Sequence, residues 1–261
     1  MGVHDPTDFR GRVVAVTGGT RGIGLVIAQA FLTAGAQVVV CGRREPDDLP
    51  GTEDRSASFV AADVRDPDQA GRVVDEAVRR HDRLDVLVNN AGGSSNGEAA
   101  TLAPRTVEKI VALNMLAPFY VAQQANAVMQ RQDSGGAIVN IGSVAAYRPA
   151  PLTSAYAAAK AGLLQFTRAL ALEWAPRVRV NHISSGMILT EQSARHYGTD
   201  GGASVARTIP MQRMAAGSDV AAACLYLASP LASYVTGADL AVHGGGEIPA
   251  WFVAAAQAQQ P

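Results

Sequence analysis

The chain has 261 residues, 48% of them hydrophobic and 17% charged, with a net charge of -1. That length supports one large α/β domain with a full core, and the balanced charge leaves no basic surface to attract nucleic acid. No apolar run reaches bilayer-spanning length and no charged-then-apolar signal opens the chain, so a soluble cytoplasmic protein with no membrane partner is expected.

Val13-Val14-Ala15-Val16 is a short, wholly apolar run, as expected of a parallel strand buried on both faces. Thr17-Gly18-Gly19-Thr20-Arg21-Gly22-Ile23-Gly24 follows directly, then an amphipathic helix to about Ala34 that Gly35 ends. Strand, glycine loop and helix together set backbone N–H groups and a positive helix end against a diphosphate. Glycines suit that loop because backbone and ligand must approach closely. The spacing is Gly-x-x-x-Gly-x-Gly, not the commoner Gly-x-Gly-x-x-Gly, and alone it also fits an ordinary tight turn.

A second strand, Val38 to Cys41, leads to Gly42-Arg43-Arg44. An acidic residue there would accept from a ribose 2′-hydroxyl and select NAD(H). Two arginines instead suit a 2′-phosphate, with Arg21 of the glycine loop directed at the same group, so NADP(H) is predicted over NAD(H). The plain alternative is a pair of solvated loop arginines. Residues 45–56 read as a polar surface loop, and Phe59-Val60-Ala61 as a third strand ending at Asp63-Val64. Asp63 either accepts from an adenine amino group, with Val64 covering the ring, or caps a helix starting near Pro67.

Leu84 to Val88 is the fourth strand and runs into Asn89-Asn90-Ala91-Gly92-Gly93, small residues that let a backbone lie against a ligand. A helical region spans about Leu102 to Arg131 with Asn114 in its middle. Asn is poor in a helix interior, so either a 3₁₀ or π distortion turns its side chain inward or it faces solvent. Ala137 to Val139 is the fifth strand. It leads to Ile141-Gly142-Ser143, a hydroxyl at the sheet edge where open parallel sheets gather ligand-binding groups.

In the apolar segment Ser154 to Trp174, Tyr156 and Lys160 stand four apart and so share a helical face. A free phenol titrates near ~10. A cation about 4 Å away contributes roughly 4 kcal/mol at an effective dielectric of about 20, which brings the tyrosinate closer to neutral pH. Alone, the pair also reads as an aromatic beside a solvated lysine. The five histidines, His4, His81, His182, His196 and His243, show no ligand spacing, so no metal site is predicted. Cys41 and Cys224 lie in apolar contexts that suit buried thiols in a reducing compartment.

In this order and spacing the motifs resemble the short-chain dehydrogenases/reductases over about residues 10–246. The glycine loop Thr17–Gly24, Asn89 to Gly92, Asn114, Ser143, Tyr156 and Lys160 all match. So do Asn181 to Thr190, Pro210-x-x-Arg213 before Asp219-Val220, and Tyr234-Val235-Thr236-Gly237 before Gly244-Gly245. The resemblance implies one doubly wound domain of about seven parallel strands, with helices on both faces. It implies a catalytic set of Asn114, Ser143, Tyr156 and Lys160. Tyr156 passes a proton to the substrate oxygen, Lys160 lowers the Tyr pKa and holds the nicotinamide ribose, and Ser143 bonds the carbonyl. Asn114 fixes the helical kink and a proton-relaying water. The cofactor is implied to touch Gly18, Thr20, Arg21, Gly22, Ile23, Gly24, Arg43, Arg44, Asp63, Val64, Asn90, Ala91 and Gly92. It also touches Tyr156, Lys160, Gly186, Ile188 and Thr190. A homotetramer built through helices such as the small-residue-rich Ser154–Trp174 is also implied.

Two positions depart from the family pattern. Ser185 stands where Pro precedes Gly186, which is expected to leave that turn freer. His243 stands where Asp often precedes the double glycine. Residues 190–213 are predicted to form a substrate lid with a glycine-rich turn at Gly198 to Gly202. Ser94, Ser95, Val144, Ala145, Tyr147, Pro151 and Met187 are expected to wall a pocket for a small-molecule substrate, an apolar, alicyclic or steroid-type ketone. Arg195, His196 and Arg207 either meet a carboxylate or coenzyme A phosphate or are solvated. Trp251 and Phe252 close a pocket or cover a sheet edge, and residues 1–8 and 254–261 are expected to be loose. A 3-oxoacyl-thioester reductase is the alternative enzyme, and a non-catalytic NADP(H)-binding regulator the alternative from another class.

Overall fold

The computed structural model describes residues 5–191, 193, 197–249, 252, 255 and 258. Seven strands form one sheet: β1 (Val13–Thr17), β2 (Gln37–Gly42), β3 (Ser58–Ala61), β4 (Val86–Asn89), β5 (Gly136–Ile141), β6 (Val178–Ser185) and β7 (Asp239–Val242). Their spatial order is β3-β2-β1-β4-β5-β6-β7, and every neighbouring pair is parallel. The direction of strand addition reverses between β1 and β4, and the loops after those two strands open the crevice where such sheets bind ligands.

The continuous apolar runs are explained by burial on both faces. Val14, Val16, Val38, Val40, Val86, Val88 and Val139 pack beneath α1 (Gly22–Thr33) on one face. Val13, Ala15, Val39, Leu87, Ile138 and Val180 pack on the other beneath α2 (Arg72–His81), α4 (Ala117–Met129) and α5 (Ser154–Trp174). A further helix, α6 (Gly217–Ala228), joins α1 on its face through Val220, Cys224 and Leu227. Each fully buried Val, Leu or Ile contributes roughly 1.5–3 kcal/mol, so this double-sided core is the main stabilising term.

The helical region predicted from Leu102 to Arg131 is not one regular helix. It comprises α3 (Pro104–Val111), a π turn at Ala112–Leu116 and then α4. Pro118 has no N–H to return to the carbonyl of Asn114, which opens the ladder at that residue. The cap at Pro67 belongs to Asp66, whose side chain accepts from Asp68 N, and not to Asp63. Among the described residues no helix is long and apolar enough to cross a membrane.

Candidate active site

The glycine loop is fixed by what its glycines omit. A Cβ on Gly19 would lie 2.6 Å from Val40 Cγ1, and one on Gly24 would lie 2.3 Å from both Asn90 Nδ2 and Gly18 O. Gly18 and Gly22 have positive φ, at 63° and 54°. Asn90 staples the loop to the end of β4, donating from Nδ2 to Thr17 O at 2.9 Å. Thr17 Oγ1 in return accepts from the N–H groups of Asn90 and Ala91, each at 3.0 Å. Arg21 is the N-cap of α1, its side chain makes no cap bond, and the first turn holds no acid. The close backbone approach and the uncompensated helix N-terminus fit a dinucleotide diphosphate.

Arg21, Arg43 and Arg44 are exposed, and Thr20 Oγ1 faces Gly42. The Asp63 carboxylate is engaged by Arg65, with Nη2 to Oδ2 at 2.5 Å and Nε to Oδ1 at 2.9 Å. That bond, and to a lesser degree the charge of Arg43, holds Asp63 below its ordinary value. Val64 beside it is buried.

Asn114 turns inward at the π turn and is fully buried. Its Nδ2 donates to Gly93 O at 2.8 Å and Ile110 O at 2.9 Å, and its Oδ1 accepts from Gly93 N at 3.1 Å. A Cβ on Gly92 would lie 3.0 Å from Asn114 Oδ1 and 3.5 Å from Lys160 Nζ, so these three residues meet. Ser143 caps a 3₁₀ turn at Val144–Ala146, accepting from Ala145 N at 3.1 Å, and its side chain lies near enough to the Tyr156 phenol to influence it. Lys160 is buried, donates to Ile141 O at 2.7 Å, and sits 5.7 Å from the centroid of the Tyr156 ring.

The electrostatics differ from the sequence expectation. Burial raises the Tyr156 phenol above its ordinary value, the neighbouring Ser143 hydroxyl partly opposes this, and the nearby Tyr197 adds to it. Lys160 supplies no compensating pull, because burial lowers its own value to about 8 and its ammonium is spent on the Ile141 carbonyl. Tyr156 is therefore a neutral phenol at pH 7, ready to donate.

Ser185 is also not the free turn expected. It is the last residue of β6, is buried, and donates from Oγ to Gly142 O at 2.8 Å. Gly186 N donates to Val242 O at 2.9 Å, and a Cβ there would lie 2.8 Å from His243 Cα. Ile188 is buried and bridges to Ala215, and Thr190 N donates to Ser193 Oγ at 2.5 Å.

In the lid, Tyr197 reaches close enough to influence Tyr156, while Gln192, Ala194, Arg195 and His196 lie outside the described residues. Arg207 is exposed and donates to Ser204 Oγ at 3.1 Å. Tyr147, Leu189 and Met211 are exposed. The segment after β7 ties to the lid through Ile248 N to Thr208 O at 2.7 Å, and Glu247 pairs with Arg148. Phe252 is exposed, and Trp251 and most of 254–261 lie outside the described residues. A broad groove lined by Asp8, Arg10, Gly35 and Arg55 shares no residue with these groups and holds the Arg10–Asp8 ion pair and the Arg55 bond to Gly35 O. Among the described residues no cluster suits a metal ion. Sequence reasoning missed the buried bond between His182 Nδ1 and Asp239 Oδ1, 2.7 Å long. The available signal was a histidine inside the strand run Val178–Ser185.

A family model described as enoyl-(acyl carrier protein) reductase matches residues 18–247. An uncharacterised oxidoreductase of Mycobacterium tuberculosis is 35% identical over 244 residues, covering 91% of this chain and 93% of that protein. The solved structure of a short-chain dehydrogenase/reductase mutant of Serratia marcescens aligns with a TM-score of 0.84 at 30% identity, over 91% of this chain and 98% of that one. A Beutenbergia cavernae protein, assigned as an NAD(P)-dependent gluconate 5-dehydrogenase and holding NADP at low occupancy, aligns at 0.85 with 35% identity over 92% and 98%.

Proposed function

Because the chain belongs to the short-chain dehydrogenase/reductase family and is an oxidoreductase, we propose that it reduces a ketone, or oxidises the matching secondary alcohol, with NADP(H). One observation carries the reading. Ser143, close enough to Tyr156 to oppose the rise of its phenol, the Lys160 ammonium and buried Asn114 converge at the carboxyl edge of the sheet. When bound, the nicotinamide supplies or accepts the hydride.

The glycine loop and the α1 N-terminus hold the diphosphate, and Arg21, Arg43 and Arg44 hold the 2′-phosphate. Thr20, Asp63, Val64 and residues 90–92 border the adenosine side, and Gly186, Ile188 and Thr190 border the carboxamide. Tyr156 gives its proton to the substrate oxygen, in keeping with a phenol held neutral by burial. Ser143 donates to the same oxygen and stabilises its developing charge. Lys160 orients the ribose, and Asn114 keeps the helix open beside it. Exposed Tyr147, Leu189 and Met211 favour an apolar or alicyclic ketone, and the family model's description keeps an acyl-thioester substrate as the second reading. Catalysis is assigned to a cytoplasmic homotetramer.

The test is initial-rate oxidation of NADPH and NADH across a panel of cyclic ketones, hydroxy acids and acyl thioesters. The reading predicts a higher kcat/KM with NADPH, shifted toward NADH by Arg43→Asp. A preference for NADH overturns the cofactor assignment, and no turnover across the panel favours a regulator.

A further inference from the structure

Gly142 stands between two contacts of the candidate active site. On one side the Ile141 carbonyl accepts from Lys160. On the other the Ser143 side chain faces Tyr156 closely enough to lower its phenol. Whatever fixes Gly142 therefore fixes both. The group packed against it is the fully buried imidazole of His182 on β6. A Cβ at residue 142 would lie 1.9 Å from both Cε1 and Nε2 of that ring. Gly142 is not among the glycines of positive φ, so the ring and not the backbone angle demands glycine here.

The ring is itself anchored. Asp239 Oδ1 lies 2.7 Å from Nδ1, and Asp239 Oδ2 accepts from Ser184 Oγ at 3.1 Å. Ser184 Oγ also lies 3.5 Å from the hydroxyl of Tyr147, on the turn that follows Ser143. An ionised carboxylate only accepts, so Nδ1 carries the ring proton. Nε2 is left as a buried atom without a hydrogen-bond partner among the described residues. Such an orphan acceptor is unfavourable, and an apolar side chain would fill the space without it.

We propose that His182 is a positioning residue, anchored by Asp239, that holds the Ile141–Ser143 turn in register with Tyr156 and Lys160, and that protonating Asp239 slackens this hold and lowers turnover. The proposal rests on the roles given above to Tyr156, Ser143 and Lys160. The titratable and charged groups facing the pair are Lys160 and Arg168 from α5, and His243 from the segment after β7. Burial first, then the two α5 cations, presses His182 down to about 3, so the ring stays neutral over the working range. Burial raises Asp239 to about 6 against the opposing pull of Ser184 and His243. Asp239 therefore gains a proton as the pH falls from 7 to 5, whereas Lys160, at about 8, is already charged there.

The full chain, wild type and the variants Asp239→Asn and His182→Phe, is assayed from pH 5 to 9 for kcat and KM, with NADPH binding followed by fluorescence. Asn keeps the size of Asp without its charge, and Phe keeps the ring without its Nδ1 donor. Each variant is expected to lower kcat about ten-fold at pH 7.5, as sub-ångström misplacement of reacting groups does, with NADPH affinity within about two-fold. The wild type is expected to show an acid limb near pH 6, and Asp239→Asn to erase it. A folded Asp239→Asn protein with wild-type kcat and an unchanged acid limb overturns the proposal. Ring ¹⁵N shifts of His182 in the wild type give a second readout that needs no variant to fold. The expected result is an Nδ1-protonated neutral ring whose shift steps with the acid limb, and a ring that does not sense that step sinks the proposal. Wild type without turnover on any ketone would instead refute the site roles on which the proposal stands, while the ring shifts still report the pairing.

Discussion

Asp85 and Lys160 are two buried charges at opposite edges of one sheet, and they are held in opposite ways. Asp85 precedes β4 at the amino edge and is only 5% exposed. It accepts from Arg12 Nη1 at 2.9 Å, from Arg83 Nε at 2.9 Å and Nη2 at 2.6 Å, and from Val13 N at 2.9 Å. Lys160 is buried to a similar degree at the carboxyl edge, yet among the described residues it donates to a neutral carbonyl and has no counter-ion. A buried charge with two counter-ions is a structural fastening. A buried charge without one is unfavourable for the fold, and its place beside Tyr156 and Asn114 gives it chemical use. The amino edge therefore holds the sheet together, and the carboxyl edge sacrifices stability for reactivity.

The largest expected effect tests the reactive edge. Tyr156→Phe removes the proton donor and keeps the ring under the Lys160 ammonium. We expect kcat to fall by ~10²–10⁴, with NADPH affinity from fluorescence titration changed by less than about three-fold. A variant that retains most of its turnover would remove Tyr156 from the chemistry.

At the fastening edge the loss falls on stability. Asp85→Ala strands Arg12, Arg83 and the Val13 N–H. Breaking a buried pair is expected to cost about 3 kcal/mol here, at the low end of the usual range because both guanidinium groups reach solvent. Urea denaturation measures the loss, and kcat per folded molecule should hold within about two-fold. A loss of kcat at wild-type stability would erase the distinction between the edges.

Lys160→Met sharpens the contrast through pH. Burial lowers Lys160 from 10.5 to about 8, so its charge opposes folding at neutral pH. The penalty is fully present below about 8 and relieved as the pH rises through 8 toward 10.5, where the unfolded chain binds the extra proton. The shift corresponds to about 3 kcal/mol. Against Lys160→Met, the wild type should therefore gain roughly that much stability between pH 7 and 10.5. The variant should be inactive at every pH. A stability difference that does not change with pH would mean that Lys160 is not desolvated.

Much of this was legible in the residues because the signals are local. Apolar runs, the glycine loop and the 156/160 spacing carry the strands, the loop after β1 and a shared helix face, and a distortion at Asn114 was one of two readings of an asparagine inside a helix. What was not legible depends on packing. The sign of the Tyr156 shift is set by how deeply the phenol is covered, which spacing along one helix does not report. The carboxylate of Asp63 goes to Arg65, two residues away, because both face the same loop. His182 and Asp239 meet only because β6 and β7 are neighbours in register.

Ser185 gives the smallest and most discriminating effect. Sequence alone suggested that losing the family's proline would loosen the turn, yet the hydroxyl ties β6 to the Gly142 carbonyl, one residue before Ser143. Ser185→Ala removes only that bond, so it should cost about 1 kcal/mol of stability by urea denaturation. Because the same carbonyl belongs to the turn that His182 supports from the other side, kcat should fall about two- to three-fold while KM for NADPH stays unchanged. The opposite pattern, with kcat unchanged and KM raised, would mean that the hydroxyl serves the nicotinamide loop after β6. The reactive edge would then depend on Gly142 through the imidazole alone.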